Sequence, residues 1–176
     1  MIIQNFVTQF AVMPADAIIL NKKFFGMVDH YVIYLGIMDH DHRFVANYID
    51  GVKIIPNTEI DNLLQSYVLT KVEKFPGPND ERGKAIKRAL SRIGEKTYNY
   101  VLNNCEHFKN FVHHGIKKST QVERAGVGFM MAGIGVSLSG LGNKNSKMTN
   151  WGIFVFAIGL ILMLLENSGK KKNSMH

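Results

Sequence analysis

The sequence predicts an α+β domain, with a meander of short antiparallel strands first and two helices after it. An apolar segment follows the helices. Runs of β-branched and aromatic residues alternate with short polar turns, which leave no room for parallel crossovers. A helical period returns in residues 80–116. Residues 125–143 and 151–165 carry no charged side chain. The 176 residues suffice for one such domain and an appendage.

The strands are predicted in the first 72 residues. They are residues 17–20, 30–36, 43–49, 52–55 and 68–72. Residues 38–42, rich in Asp and His, are predicted as a polar loop, and Asp50-Gly51 as a tight hairpin turn. A helical turn is predicted at 60–64. A helix is predicted over 80–95, ended by Gly94.

The second helix is predicted to begin at Cys105. Behind this residue the apolar side chains recur at helical spacing and Gly115 stands where the helix would stop. Asn103 or Asn104 can cap its start. A sulfur at the positive end of a helix dipole is favoured as the thiolate, which is the nucleophilic form. The alternative is that Cys105 is a small buried apolar residue.

A catalytic cysteine also needs an imidazole within reach. The candidate partners of Cys105 are His30, His42, Asn47 and His107. His30 begins a core-type strand, a rigid place from which to aim a ring. His107 follows Cys105 by two positions and points to a different side of a helix, so it is a poor base. No histidines show zinc-ligand spacing with a cysteine pair, so neither a metal nor a cofactor is predicted.

Charge and cysteine usage indicate the compartment. The formal charge is +7, of which +4 lies from Lys144 onward, around the apolar segments. A nucleic-acid binder should concentrate charge on its folded body, so attraction to a membrane surface fits better. One cysteine excludes an internal disulfide and fits a reducing compartment. No N-terminal signal peptide is recognised. We therefore expect a membrane-associated protein that faces the cytoplasm.

The apolar segments allow three interpretations. A bilayer core of about 30 Å needs about 20 apolar residues as a helix. Residues 125–143 nearly reach that length, and residues 151–165, which open with Trp151, are shorter. They form either a helical hairpin in the membrane, or one membrane helix after a glycine-rich connector. Burial of both as core helices is the third interpretation.

Residues 104–108, Asn-Cys-Glu-His-Phe, with residues 30–36, His-Tyr-Val-Ile-Tyr-Leu-Gly, resemble the lecithin:retinol acyltransferase family. The chain is most similar to its small phospholipase A/acyltransferase branch, over roughly residues 10–170. The resemblance implies a circularly permuted papain-like α+β fold. It also implies a catalytic domain at 1–123, a membrane anchor or helical hairpin at 124–169 and a basic tail at 170–176.

By position in that family, Cys105 is the nucleophile and His30 the base. The third member is open. The family usually has a second histidine on the following strand. Counting without gaps gives His42, whereas aligning strand with strand gives Asn47. We prefer Asn47, because a strand holds a residue better than a loop does and its carbonyl can orient an imidazole.

The resemblance implies phospholipase A1/A2 or acyltransferase activity on phospholipid esters, through an acyl-thioester. Backbone N–H groups at the start of the cysteine helix are candidates for the oxyanion site. The expected partners are a phospholipid membrane and a lipid substrate, and no nucleic acid. The alternatives are a cysteine peptidase or amidase of the related fold, or a membrane-anchored interaction module without activity.

Overall fold

The chain divides into two compact units. The computed structural model describes residues 2–22, 29–63, 67–99 and 103–173. The units are Met1–Lys117 and Lys118–His176, which we call the sheet unit and the hairpin unit. This division lies six residues before the boundary at 123/124 that was expected from the sequence.

After an N-terminal helix, the described elements follow the predicted order, with the strands before the long helices. They are α1 (Ile2–Gln9), β1 (Ala17–Lys22), β2 (Asp29–Met38), β3 (Asp41–Tyr48), β4 (Gly51–Pro56), α2 (Asn57–Leu63), β5 (Tyr67–Glu73), α3 (Arg82–Leu90), α4 (Cys105–His114), α5 (Thr120–Gly142) and α6 (Ser146–Asn173). The α+β prediction is confirmed, but α1 was not foreseen.

The five strands form one sheet in the order β4-β3-β2-β1-β5, and every pairing is antiparallel. Successive residues of a strand face opposite sides of the sheet. Val32 and Tyr34 of β2 therefore lie in a core with α1 and α2, whereas Ile33 and Leu35 lie in a core with α3 and α4. We call these sides the α1/α2 face and the α3/α4 face.

Two predicted boundaries are wrong. Residues 38–42 are not a loop, because Asp39 and His40 both adopt positive φ, 52° and 63°, and close a two-residue turn. His42 consequently belongs to β3. The helix predicted over 80–95 follows a short 3₁₀ turn and ends at Leu90, and residues 91–94 form a turn.

Strand β2 contains a bulge. Tyr34 pairs with Phe44 and Gly36 with Arg43, so Leu35 is an extra residue in β2. Gly36 has φ 109°, a conformation that glycine adopts without a Cβ penalty. A bulge changes the direction in which the following side chains point. The pairing of β2 therefore differs by one residue on the two sides of Leu35.

The hairpin unit consists of two apolar helices that run antiparallel and are joined by residues 143–145. A Cβ on Gly133 would collide with the Phe156 backbone, and one on Gly152 would lie 2.7 Å from the Gly133 carbonyl oxygen. The two backbones therefore touch, as small residues permit between membrane helices. Residues 170–173 of the predicted basic tail continue α6, and residues 174–176 lie outside the described part of the chain.

By length and composition, both helices are able to cross a membrane. The most apolar 18-residue windows of their 23-residue stretches have mean hydropathies of 1.5 and 2.1. Only 17% and 11% of the most apolar windows are buried within the protein, which disfavours the interpretation as core helices. The glycine-rich segment is itself a helix, which favours the helical hairpin over a single membrane helix with a connector.

Gly133→Leu is expected to separate the two helices, whereas Gly135→Leu is a matched control on the same helix. A Cβ on Gly135 has open space around it. Overpacking at Gly133 should cost about 2 kcal/mol of hairpin stability. The measurement is resistance to SDS in maltoside micelles, followed by Trp151 fluorescence. Equal resistance of the two variants would contradict the described packing.

Candidate active site

The start of α4 is fixed by an asparagine cap. The Asn104 side chain accepts hydrogen bonds from the backbone N–H groups of Glu106 and His107, each at 3.0 Å. His107 completes a capping box, because its Nδ1 accepts a hydrogen bond from the Asn104 backbone N–H at 3.4 Å. His107 thus serves the helix cap. Gly115 ends the helix in the left-handed conformation, also as predicted.

Cys105 is the first residue of α4 and is buried, with 3% of its surface exposed. It packs against Ile19 and Tyr31 in a small core cluster. Burial raises the pKa of its thiol to about 11, and hydrogen bonds from the backbone of Tyr31, Cys105 and Glu106 act in the opposite direction. The expectation of a favoured thiolate is therefore wrong for this arrangement, because desolvation outweighs the helix terminus.

His30 lies near the start of β2, among aromatic rings. Its ring centroid is 5.0 Å from that of Tyr48 and 6.1 Å from that of Tyr67. Its Nε2 is buried and has no hydrogen-bond partner among the described residues. Burial lowers the pKa of the ring to about 4, so the imidazole is neutral at physiological pH.

The side chains of His30 and Cys105 face opposite sides of the sheet. His30 pairs across the ladder with Leu20, a residue of the core on the α1/α2 face. Tyr31, the next residue, pairs with Ile19, and both contact Cys105 on the α3/α4 face. The predicted meeting of thiol and imidazole is therefore not present in this arrangement, because the sheet lies between them.

Asn47 connects β3 to the start of α4. Its Nδ2 donates to the carbonyl oxygens of Asn103 at 3.0 Å and Asn104 at 3.4 Å. It is 1% exposed, and its Oδ1 has no partner within the described part of the chain. Val45, two residues earlier in β3, belongs to the core on the α3/α4 face. Asn47 and Cys105 thus lie on the same side of the sheet.

His42 lies far from both predicted catalytic residues. It pairs with Ile37, seven residues along β2 from His30, a separation of about 23 Å. Its Nδ1 forms a 2.7 Å hydrogen bond with the Tyr34 hydroxyl. His42 therefore lies on a strand, so a firmer backbone is no longer a reason to prefer Asn47. The distance of His42 from His30 is instead the reason to prefer Asn47.

The sequence does not predict the half-buried ion pair that Lys109 of α4 forms with Glu73 of β5. Lys109 Nζ lies 2.8 Å from Glu73 Oε1, and the Lys109 side chain is 7% exposed. The spacing of Lys109 to Cys105 is i, i+4, which alone signals that they are neighbours on one helix face. Nothing in the sequence indicates Glu73, because β5 joins this site only through the tertiary fold.

No metal site was found: among the residues described, no group of three or more His, Cys, Asp or Glu side chains is placed to hold an ion. The candidate site therefore consists of a neutral, buried thiol, a cap that fixes its helix and an amide that anchors the cap.

We expect iodoacetamide to alkylate Cys105 of the substrate-free protein slowly at pH 8 and faster as the pH approaches 11, since only the thiolate reacts. The urea-unfolded chain is the control, and it should react with the pKa of an ordinary cysteine, about 8.5. Because the folded-state pKa is the higher one, folding stability is lost as the pH rises from about 9 to 11. Alkylation of the folded protein as fast as the unfolded chain at pH 8 would contradict this environment.

The chain matches a known protein family. A family model described as lecithin retinol acyltransferase matches residues 12–118. These residues include β1 to β5, the cap at Asn104 and the whole of α4. Comparison with curated proteins returned no match.

Proposed function

Because the chain belongs to the lecithin retinol acyltransferase family, we propose that it removes acyl groups from phospholipids through a thioester on Cys105. Its activity is then that of the small phospholipase A/acyltransferase branch. The observation that supports the proposal is the position of the only cysteine at the first residue of α4, inside the matched span. Backbone N–H groups surround its sulfur there.

The proposed reaction is a two-step acyl transfer. Sulfur attacks the ester carbonyl carbon, the bond from that carbon to the glycerol oxygen breaks, and the thiol proton passes through His30 to the leaving lysophospholipid. Water, or an alcohol or amine of a second lipid, then attacks the thioester. Its proton returns to the sulfur, and a fatty acid or an acylated acceptor leaves.

His30 has to reach the α3/α4 face for this proton transfer. One further bulge at the start of β2 would turn its ring to that side, since a one-residue change of pairing reverses the face. β2 already contains such a bulge at Leu35. The turned ring would approach Asn47, whose unpartnered Oδ1 accepts an N–H and fixes the tautomer.

Fewer backbone N–H groups are available for the oxyanion site than the sequence predicted. The N–H groups of Glu106 and His107 already donate to the Asn104 side chain. We therefore assign the developing negative charge to the backbone N–H of Cys105. The Asn104 cap then serves to hold this N–H at a fixed angle to the sulfur.

The hairpin unit supports a lipid substrate. Two helices long and apolar enough to cross a membrane hold the chain where phospholipid esters are concentrated. We propose that the sheet unit lies on the cytoplasmic side, where a single cysteine stays reduced.

The deciding experiment is intact mass spectrometry of the full chain after mixing with phosphatidylcholine vesicles. We expect an added acyl mass on Cys105 together with free fatty acid. The Cys105→Ala variant is the control and should show neither. Fatty acid release without an adduct on the wild type, equal in both proteins, would overturn the proposal.

A membrane-anchored interaction module without activity is the second candidate function. The observation that favours it is the separation of His30 and Cys105 by the sheet. In that case neither adduct nor fatty acid forms, and His30→Ala leaves the protein unchanged in every lipid assay. A peptidase is not proposed, because the matched family is named for acyl transfer.

A further inference from the structure

We propose that Lys71 and Lys109 form a phosphate-binding subsite beside Cys105 that recognises the phosphodiester of a glycerophospholipid. The inference rests on the proposed function and names the part of the substrate that distinguishes it from a neutral acyl ester. Lys109 comes from the helix that begins with the cysteine, and Lys71 comes from the edge strand β5.

Lys109 lies one helical turn after Cys105 and on the same side of α4. Its Nζ is 5.3 Å from the centroid of the Tyr31 ring, and Tyr31 itself packs against Cys105. Side chains at i and i+4 of a helix have Cβ atoms about 5–6 Å apart. The ammonium group therefore lies beside Tyr31, a residue that contacts Cys105, in a position buried from solvent.

Lys71 approaches the same place from the sheet. It pairs directly with Ile19, and residues directly opposite each other in an antiparallel ladder share a face. Ile19 contacts Cys105, so the Lys71 side chain leaves the sheet on the α3/α4 face. Lys71 is exposed, and it has no ion-pair partner within the described part of the chain.

The charge between Lys71 and Lys109 favours an anion. These two ammonium groups face Glu73, which is 2.8 Å from Lys109 Nζ and 32% exposed, whereas Glu106, the residue after Cys105, is a second carboxylate and is 2% exposed. A partly exposed carboxylate is displaced more readily than a buried one, since water solvates it as it leaves. Lysine is a common phosphate ligand because its compact charge meets an oxygen from any direction. Glu73 thus occupies the subsite until a phosphate replaces it.

The spacing suits a glycerophospholipid. In such a lipid only the glycerol backbone separates an ester carbonyl from the phosphate, a distance similar to one helical turn. A carbonyl placed at the Cys105 sulfur therefore brings the phosphate to Lys109, and the exposed Lys71 closes over it from β5. A diacylglycerol offers the same ester without the anion.

The test compares two substrates that differ only in the headgroup, dihexanoyl phosphatidylcholine and dihexanoylglycerol, with the full chain in maltoside micelles. Lys71→Met and Lys109→Met are each expected to lower kcat/KM for the phospholipid by about tenfold, the loss of one charged hydrogen bond, and to leave the diacylglycerol nearly unchanged. Lys84→Met, an exposed lysine on α3, is the matched control and should alter neither value. Equal losses on both substrates, or none, would overturn the proposal.

Two further measurements test the subsite if a single variant fails to fold or if the protein shows no turnover. The double variant Lys109→Met/Glu73→Met removes both charges of the Lys109–Glu73 pair and should show the same substrate selectivity as Lys109→Met. Calorimetric titration of Cys105→Ala with dihexanoyl phosphatidylcholine measures binding without chemistry, and adding Lys71→Met should weaken it about tenfold. If the wild type hydrolyses neither ester, the proposed function fails, and this titration still decides whether the subsite exists.

Discussion

Replacing Cys105 with alanine is expected to reduce fatty acid release from phosphatidylcholine vesicles by at least about a thousandfold, as loss of a covalent nucleophile does. No other cysteine can substitute, because the chain has one. The fold should persist, since alanine removes only the sulfur from a small cluster with Ile19 and Tyr31. That cavity should cost about 1 kcal/mol. The measurements are fatty acid release and near-ultraviolet circular dichroism of the tyrosines, all six of which lie in the sheet unit.

Val112→Ala is the matched control for Cys105→Ala. Val112 lies on the same helix, is 0% exposed and packs in the core on the α3/α4 face. Its truncation should cost more stability, about 2 kcal/mol, because two methyl groups leave a well-packed site. Turnover should nevertheless remain at temperatures where the variant is folded. A catalytic claim for Cys105 fails if Cys105→Ala retains turnover, or if Val112→Ala loses it equally while folded.

Local chemistry made much of the fold predictable from the sequence. The β-branched run at 30–36 and the two short turns beside it define a meander, and the sheet is antiparallel as expected. The helix from Cys105 to Gly115 was predictable because cap, period and stop signal all lie within it. The turn at Asp39 and His40 is shorter than the loop predicted over 38–42. It consists of two residues at positive φ, so β3 begins at Asp41 and includes His42.

The candidate site was less predictable, because it depends on which face of a strand each side chain occupies. A shift of one residue in pairing reverses that face, and no sequence pattern fixes it in β2, which is buried on both sides. The sequence therefore indicated His30 and Cys105 but not their separation by the sheet. The net pKa of the thiol was unpredictable for a similar reason, since burial is a property of the tertiary fold.

Asn47→Ala is expected to lower turnover by roughly a hundredfold, whereas His42→Ala should change it little. Asn47 anchors the carbonyl groups of Asn103 and Asn104, which precede Cys105, and offers an unpartnered Oδ1 on the same face. In the variant the carbonyl oxygens of Asn103 and Asn104 lose the Asn47 donor but keep the N–H groups of Asn99 and Phe108, so the cost in stability should be about 1 kcal/mol. His42 lies at the other end of the ladder and bonds to Tyr34. Fatty acid release and thermal unfolding by tyrosine circular dichroism report the two effects separately.

Asn47→Asp separates the anchoring of α4 from the orientation of an imidazole. Aspartate keeps an oxygen that can accept an N–H but loses the Nδ2 donor to Asn103 and Asn104. If Asn47 acts mainly by orienting His30, the aspartate variant keeps more activity than Asn47→Ala at equal or lower stability. If it acts only by anchoring the helix, both variants lose activity in proportion to stability, and its place in the catalytic group is lost. A larger loss in His42→Ala than in Asn47→Ala would instead assign the third role to His42. Because His42 lies at the end of the β2–β3 ladder away from His30, that result would also require the ladder to rearrange.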